Sequence, residues 1–156
     1  MIQAAGLTFR RARAVDVATI VALLADDMLG AAREASADAE AQLAYLAAFG
    51  EIDADPNQLL AVAELNGEIV GTLQLTFIPG LSRHGSKRGI IEAVRVASDS
   101  RSKKIGEAMI AWAIEQCRER RCRLVQLTTD KARIDAHRFY DRLGFEASHI
   151  GYKLAL

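Results

Sequence analysis

The chain has 156 residues, 51% hydrophobic and 26% charged, the balance of an ordinary globular protein with enough length to bury a core as one domain over residues 1–156. Its 20 Lys and Arg offset its 20 Asp and Glu, so no net charge draws the whole molecule to nucleic acid or to an anionic membrane, and an anionic partner must be held locally. No apolar run is long enough to cross a bilayer, the first residues lack a secretory pattern, and Cys117 and Cys122 are too few for a disulfide framework or a zinc site; a cytoplasmic protein with free thiols and no metal is expected.

Leu7 to Arg11 alternates apolar and polar residues, which predicts a first strand. Val17, Ile20, Val21, Leu24 and Met28 then mark one face of a helix that ends near Gly30, and Ala31 to Asp38 is a small, polar connection. A second helix from about Asp38 turns Leu43, Leu46 and Ala47 inward and stops at Gly50, with Asp53 to Pro56 as a loop. Leu59 to Leu65 and Ile69 to Phe77 are strands joined at Asn66-Gly67-Glu68, where Asn-Gly supplies the positive φ values of a tight hairpin. Pro79 to Gly89, rich in glycine, serine and basic residues, reads as an exposed loop. Gly80 and Gly85 in it have the spacing of nucleotide-binding P-loop glycines, but Ser86-Lys87 follows in the wrong order, which excludes that motif.

Ile90 to Val96 is short and rich in β-branched residues, as a buried strand should be. The polar turn from Ala97 to Lys104 opens a long helix from about Lys103 to Arg120, apolar over most of its surface, with Trp112 in the core and a polar stripe at Glu107, Glu115, Arg118 and Glu119. Leu124 to Thr128 is a parallel neighbour strand, completing a right-handed crossover. Asp135 can cap a short helix with Ala136, Phe139, Tyr140 and Leu143 inward and Gly144 as its stop; Phe145 to Ala147 and Tyr152 to Leu156 can form a final hairpin. The fold class is α/β, a mixed sheet flanked by helices.

Arg101, Lys103 and Lys104 stand at the head of the long helix, where cations oppose the helix dipole. Free N–H groups there favour an anion, usually phosphate, so the stretch reads as a pyrophosphate cradle; the alternative is an ordinary solvated turn.

Two motifs then resemble the GNAT superfamily of N-acetyltransferases, in an order of parts that covers nearly the whole chain. Val96 to Gly106 matches the family's acetyl-CoA motif, with Lys104 in place of its usual first Gly and Ser102 in place of another; Ala136 to Phe145 looks like its closing helix, with Arg133 near a common Asn that contacts pantetheine. The resemblance implies a mostly antiparallel sheet whose central parallel strands splay apart. It implies acetyl-CoA in that cleft, with pantetheine paired to backbone at Val94 and Val96. The pyrophosphate would rest on Ser102, Lys103, Lys104, Ile105 and Gly106, with Arg101 beside it. Tyr140 matches the family's proton donor to the leaving thiolate, its alternative role being to fill the helix's inner face. Glu92 is the carboxylate best placed to deprotonate the acceptor, its rival role an ion pair with Arg95. His84, in the glycine-rich loop, is a candidate substrate contact, whereas His137 and His149 read as surface or satisfied structure.

The implied activity is transfer of an acetyl group from acetyl-CoA to a primary amine of a small molecule. Other readings are a CoA-binding regulatory module and a protein N-terminal acetyltransferase. Arg83, Lys87 and Arg88 would suit an acceptor with a carboxylate, and a homodimer is common in the resembling family.

Overall fold

The computed structural model describes residues 6–26, 39–101 and 103–156. Met28, Gly30, the Ala31 to Asp38 connection and Ser102 lie outside the described residues. Five strands form one sheet in the order β1-β2-β3-β4-β5. They are β1 (Leu7–Arg11), β2 (Gln58–Leu65), β3 (Glu68–Ile78), β4 (Lys87–Val96) and β5 (Cys122–Leu127). Among the described residues, the helices longer than one turn are α1 (Val17–Ala25), α2 (Ala39–Ala54), α3 (Ile105–Glu119) and α4 (Ile134–Arg142). The first four strands are antiparallel neighbours, and β5 joins β4 in parallel. This is the expected mixed, mostly antiparallel sheet. The β2–β3 turn is made by Asn66 and Gly67, at φ 54° and 88°, as the Asn-Gly pair requires.

Each sheet face is covered by different helices. On one face Ala61, Ala63, Leu73, Leu75, Phe77 and Ile91 share a core with Ile105, Met109, Ile110, Ala113 and Cys117 of α3. Two glycines let α3 come this close. A Cβ on Gly71 would lie 2.6 Å from Met109 Sδ and 3.0 Å from the Arg95 carbonyl, and one on Gly89 would collide with Cys117 Sγ. Trp112 packs against this core and stacks on Phe9 at 5.4 Å. On the other face Val62, Ala12 and Ile20 form a smaller core with Leu24, Phe49, Leu60 and Ile69. Arg10 pins β1 beside it, donating to Asp16 Oδ2 at 2.6 Å and to Glu64 Oε1 at 2.8 Å.

Several boundaries differ from expectation, each for a local reason. Helix α2 runs through Gly50 to Ala54, because a glycine in open space weakens a helix without breaking it, and the helix ends only before Pro56. Its half-buried positions are Ala41, Tyr45, Phe49 and Ile52, spaced by four and then three, whereas Leu43 and Leu46 are 68% and 46% exposed. Lys87 to Gly89 belong to β4 rather than to the preceding loop, Arg88 and Gly89 paired with both β3 and β5 and Lys87 with β5. Helix α3 begins at Ile105, α4 begins at Ile134 with Arg133 as its N-cap in place of Asp135, and β5 spans Cys122 to Leu127. The final hairpin is absent: residues 145–156 lie outside any strand. Both cysteines are free thiols, and burial pushes that of Cys117 up to about 12.

Candidate active site

The pairing of β4 with β5 runs from Lys87 opposite Cys122 to Ile91 opposite Leu127 and stops there, while β4 continues to Val96. The departure is built into β4 by a bulge. Gln74 faces Glu92 and Thr72 faces Arg95, so Leu73 alone spans Ala93 and Val94, and Ala93 takes the left-handed φ of 51°. A bulge bends its strand and strengthens its twist, which turns the last residues of β4 away from β5. From Glu92 to Val96, β4 thus has no strand partner on its β5 side among the described residues. The apolar pair Ala93-Val94 sits at the bulge, but Ile90-Ile91 is a like pair in regular strand, so the local sequence does not single the bulge out.

Val94 and Val96, on this unpaired stretch, both pack their side chains on the α3 core. Their carbonyls accept hydrogen bonds from arginines, Val94 from Arg95 Nη1 at 2.9 Å and Val96 from Arg101 Nε at 3.3 Å. A carbonyl has two lone pairs, so each can accept a second donor.

Beyond Val96 the chain makes a 3-10 turn at Ser98–Ser100 and reaches α3 through Arg101, Lys103 and Lys104. Lys104 is the N-cap of α3 in the left-handed conformation, φ 58° and ψ 17°, which explains why glycine suits this position. No side chain caps the helix, and its first internal bond is Ala108 N–H to the Lys104 carbonyl at 3.1 Å. The amides of Ile105, Gly106 and Glu107 therefore precede the helical ladder, at the positive end of the dipole. Lys103 and Lys104 are exposed beside them. Gly106 lies against α4, where a Cβ would sit 3.4 Å from the Phe139 ring.

Arg101 faces elsewhere. Its Nη2 donates to the Asp26 carbonyl at 2.7 Å and lies 3.6 Å from the Asp26 carboxylate, which also accepts from Ser98 N–H at 2.9 Å. The end of α1 is thus tied to the loop that leads into α3. Nothing in the local sequence signals a contact across this separation.

Tyr140 projects from the inner face of α4, its ring 5.2 Å from Phe139 and 5.8 Å from Phe145. Burial pushes its phenol above the usual tyrosine range, and the positive charges of Arg133 and Arg95 pull against that shift. It is therefore a protonated donor at neutral pH. Among the described residues its hydroxyl has no hydrogen-bond partner, so the proton is available. Glu92 precedes the bulge, exposed and opposite Gln74, on the sheet face away from α3. The same face carries Gln58, which accepts from Gln74 and Thr76 at 3.0 and 2.9 Å, and Arg88, whose Nε is buried without a hydrogen-bond partner.

The histidines divide as their surroundings dictate. His137 Nε2 lies 2.9 Å from the Asp130 carbonyl and His149 Nδ1 lies 2.8 Å from Ser148 Oγ, both structural contacts. His84 is exposed at φ 60° in the one-turn segment before β4. Among the described residues no group of three His, Cys, Asp or Glu could hold a metal ion, and no helix is long and apolar enough to cross a membrane.

Comparison with known proteins agrees with this geometry. The chain is 39% identical over 102 residues to an aminoalkylphosphonate N-acetyltransferase of Salmonella typhimurium, a match that spans 65% of this chain and 66% of that protein, just short of two thirds of its length. A crystal structure of a transcriptional regulator from Bacillus halodurans superposes with a TM-score of 0.91 at 48% identity, covering 96% of this chain and 99% of that one. At 19% identity, which speaks to the fold alone, a predicted acetyltransferase from Clostridium acetobutylicum solved with acetyl-CoA superposes with a TM-score of 0.70 over 96% of each chain. The profile of the Acetyltransferase (GNAT) family matches residues 19–145, and the chain belongs to that family.

Proposed function

We propose that the protein transfers the acetyl group of acetyl-CoA to the primary amine of a small molecule that also carries an anionic group. The observation that carries this reading is the end of β4–β5 pairing at Ile91 and Leu127 while β4 runs on to Val96 and leads to the uncapped head of α3. The residues fit the coenzyme. Amides from Lys103 to Gly106, with Ser102, suit a diphosphate, Lys103 and Lys104 add charge, and the backbone of Val94 and Val96 offers an added-strand partner for an amide-bearing arm. Arg101 supports the cradle by holding its loop to α1.

In the chemistry, the acceptor amine must first lose a proton. An alkylamine with a pKa of about 10.4 costs roughly 4–5 kcal/mol to deprotonate at pH 7, and Glu92 takes that proton directly or through water. The amine nitrogen then bonds to the thioester carbonyl carbon while the carbon–sulfur bond breaks, and Tyr140 donates its proton to the departing sulfur. Arg88, on the Glu92 face with its Nε unpaired, suits the acceptor's anionic group. The relative that acts on aminoalkylphosphonates supports an acceptor of that kind.

The test is free-thiol release from acetyl-CoA across a panel of amines with and without phosphonate or carboxylate. Turnover is expected with the anionic amines, and Tyr140→Phe should lower kcat by about 10²-fold with little change in coenzyme binding. Turnover confined to uncharged amines would overturn the acceptor class. A Tyr140→Phe enzyme as fast as wild type would overturn the acid.

A further inference from the structure

The two cysteines of the chain stand close in sequence, Cys117 in the last turn of α3 and Cys122 at the first position of β5. The helix is capped at Arg120, and Arg121 takes the left-handed φ of 60° while its N–H donates to the Arg118 carbonyl at 2.8 Å. In a helix end of this kind the residue three places before the cap meets the one two places after it, usually through apolar side chains. Here those residues are Cys117 and Cys122.

Strand pairing turns the second sulfur to the same side. Lys87 faces Cys122 and Arg88 faces Leu124, so Arg123 is an extra residue on β5, a bulge that shifts the alternation by one. Without it Cys122 would share the face of Leu124; with it, Cys122, Val125 and Leu127 all pack on the α3 core. Gly89 leaves the room they use. A Cβ there would collide with Cys117 Sγ and lie 4.0 Å from Cys122 Sγ, so both sulfurs border one small space. Cys117 is 1% exposed, whereas Cys122 is half-buried and reaches solvent. Burial pushes the Cys122 thiol up, but Lys87, a hydrogen bond from the Cys117 thiol and Arg120 pull against that shift. Burial raises Cys117 to about 12, and its neighbour Cys122 adds to the rise. Of the two, Cys122 is the one that ionises more readily and meets a reagent first.

We propose that Cys117 and Cys122 form a reversible disulfide within one chain on meeting an anionic low-molecular-weight disulfide, Cys122 attacking and Cys117 resolving. The Cys122 thiolate attacks one sulfur of the reagent, whose own disulfide bond breaks; one reagent thiolate leaves, and the other half stays bonded to Cys122. Cys117 then gives up its proton and attacks Cys122 Sγ, the protein disulfide forms, and the second reagent thiolate leaves. Two electrons pass from the cysteines to the reagent, and the two cysteine protons are taken up by the two thiols released. The surroundings suit an anion. Lys87 is paired beside Cys122, and Arg120, Arg121 and Arg123 flank it in the chain, all three exposed. The bond staples the last turn of α3 to β5, at the opposite end of the helix from Lys104. As small apolar side chains the two cysteines would make the same contact, so their reaction is what separates the readings.

The test incubates the folded protein with glutathione disulfide, blocks remaining thiols with iodoacetamide, and reads intact mass and tryptic peptides without reduction. The wild type is expected to lose two hydrogens, keep no glutathione, and yield the peptide ending at Arg118 joined to Cys122-Arg123, a change that dithiothreitol reverses. Cys117→Ala should stop with one glutathione on Cys122, and Cys122→Ser should consume the reagent roughly tenfold more slowly or less. Unchanged far-UV circular dichroism verifies that each variant is folded. Because Cys122 is half-buried, Cys122→Ser carries the test even where Cys117→Ala does not fold. A wild type that does not react, or that keeps a glutathione, overturns the proposal and leaves the pair as an apolar contact. A disulfide joining two chains overturns it too, and a Cys122→Ser protein as reactive as wild type overturns the order of attack.

Discussion

Lys104 holds a backbone conformation that its side chain does not favour, φ 58° at the head of α3. A left-handed residue with a Cβ costs about 1–2 kcal/mol against glycine, so Lys104→Gly should raise unfolding free energy by about 1 kcal/mol in denaturant titration, whereas Lys104→Ala keeps the strain and should not. Equal stability for the two variants would show that the strain is relieved elsewhere. The glycine expected there was legible as a motif; the strain it avoids became visible only in the backbone. Arg101 shows the opposite case. As a cation in the right loop it reads as a phosphate ligand, but its guanidinium is engaged by Asp26, 75 residues away. If it acts through that tie, Arg101→Gln and Asp26→Asn should each weaken desulfo-CoA binding by about three- to tenfold, and the double variant should be no weaker than either. Additive losses would instead mean that Arg101 touches the ligand itself. Tyr140 lies on the inner face of α4 beside Phe139, as the spacing of apolar residues there implies.

Elements were legible where periodicity is strong and local. The β2–β3 hairpin follows from Asn-Gly and two apolar runs, and the crossover from β4 through α3 to β5 follows from a strand, a helix and a strand at the right spacing. Helix α2 was misread at its inward face because leucine outranks tyrosine in hydrophobicity, while packing was decided by the i, i+4 spacing of Ala41, Tyr45 and Phe49. The bulge in β4 was missed for a different reason: it is defined by two residues opposite one, a property of a pair of strands that a single run of sequence does not record. The junction of β1, the following 3-10 turn (Ala14–Asp16) and β2 is likewise a product of tertiary contact. Asp16 is 5% exposed, and the Arg10 guanidinium beside it holds its carboxyl below the usual range. A carboxyl whose folded pKa is depressed contributes stability above its unfolded pKa, about 3.9, and loses it as pH falls through the folded value. Unfolding free energy should therefore decline below about pH 4, and the decline should be shallower in Asp16→Asn, measured by denaturant titration across pH. Parallel curves for the two proteins would remove Asp16 from the acid limb.

For the whole molecule, the decisive relation is the height of α3 above the sheet. That helix carries the cradle at its head and packs on β3 and β4 through Met109 and Cys117, at the two places where the strands have glycine. Pairing of β4 with β5 ends at Ile91, so the uncapped amides at the head of α3 and the unpaired end of β4 are both positioned by how α3 packs on the sheet. Filling that contact should disturb both. Gly89→Ala drives a methyl into Cys117 Sγ, and overpacking a tight core costs typically 1–3 kcal/mol, so a loss of that size is expected in denaturant titration together with weaker CoA binding. Cys117 is a buried thiol, and its removal makes room where the methyl needs it. Gly89→Ala/Cys117→Ala should therefore recover part of the stability and most of the CoA affinity lost in Gly89→Ala alone, a non-additive pair of the kind contacting residues show. If the double variant is instead as unstable as the sum of its parts, Gly89 serves the backbone of β4 and not the seat of the helix. If stability returns without affinity, the height of α3 does not set the cradle.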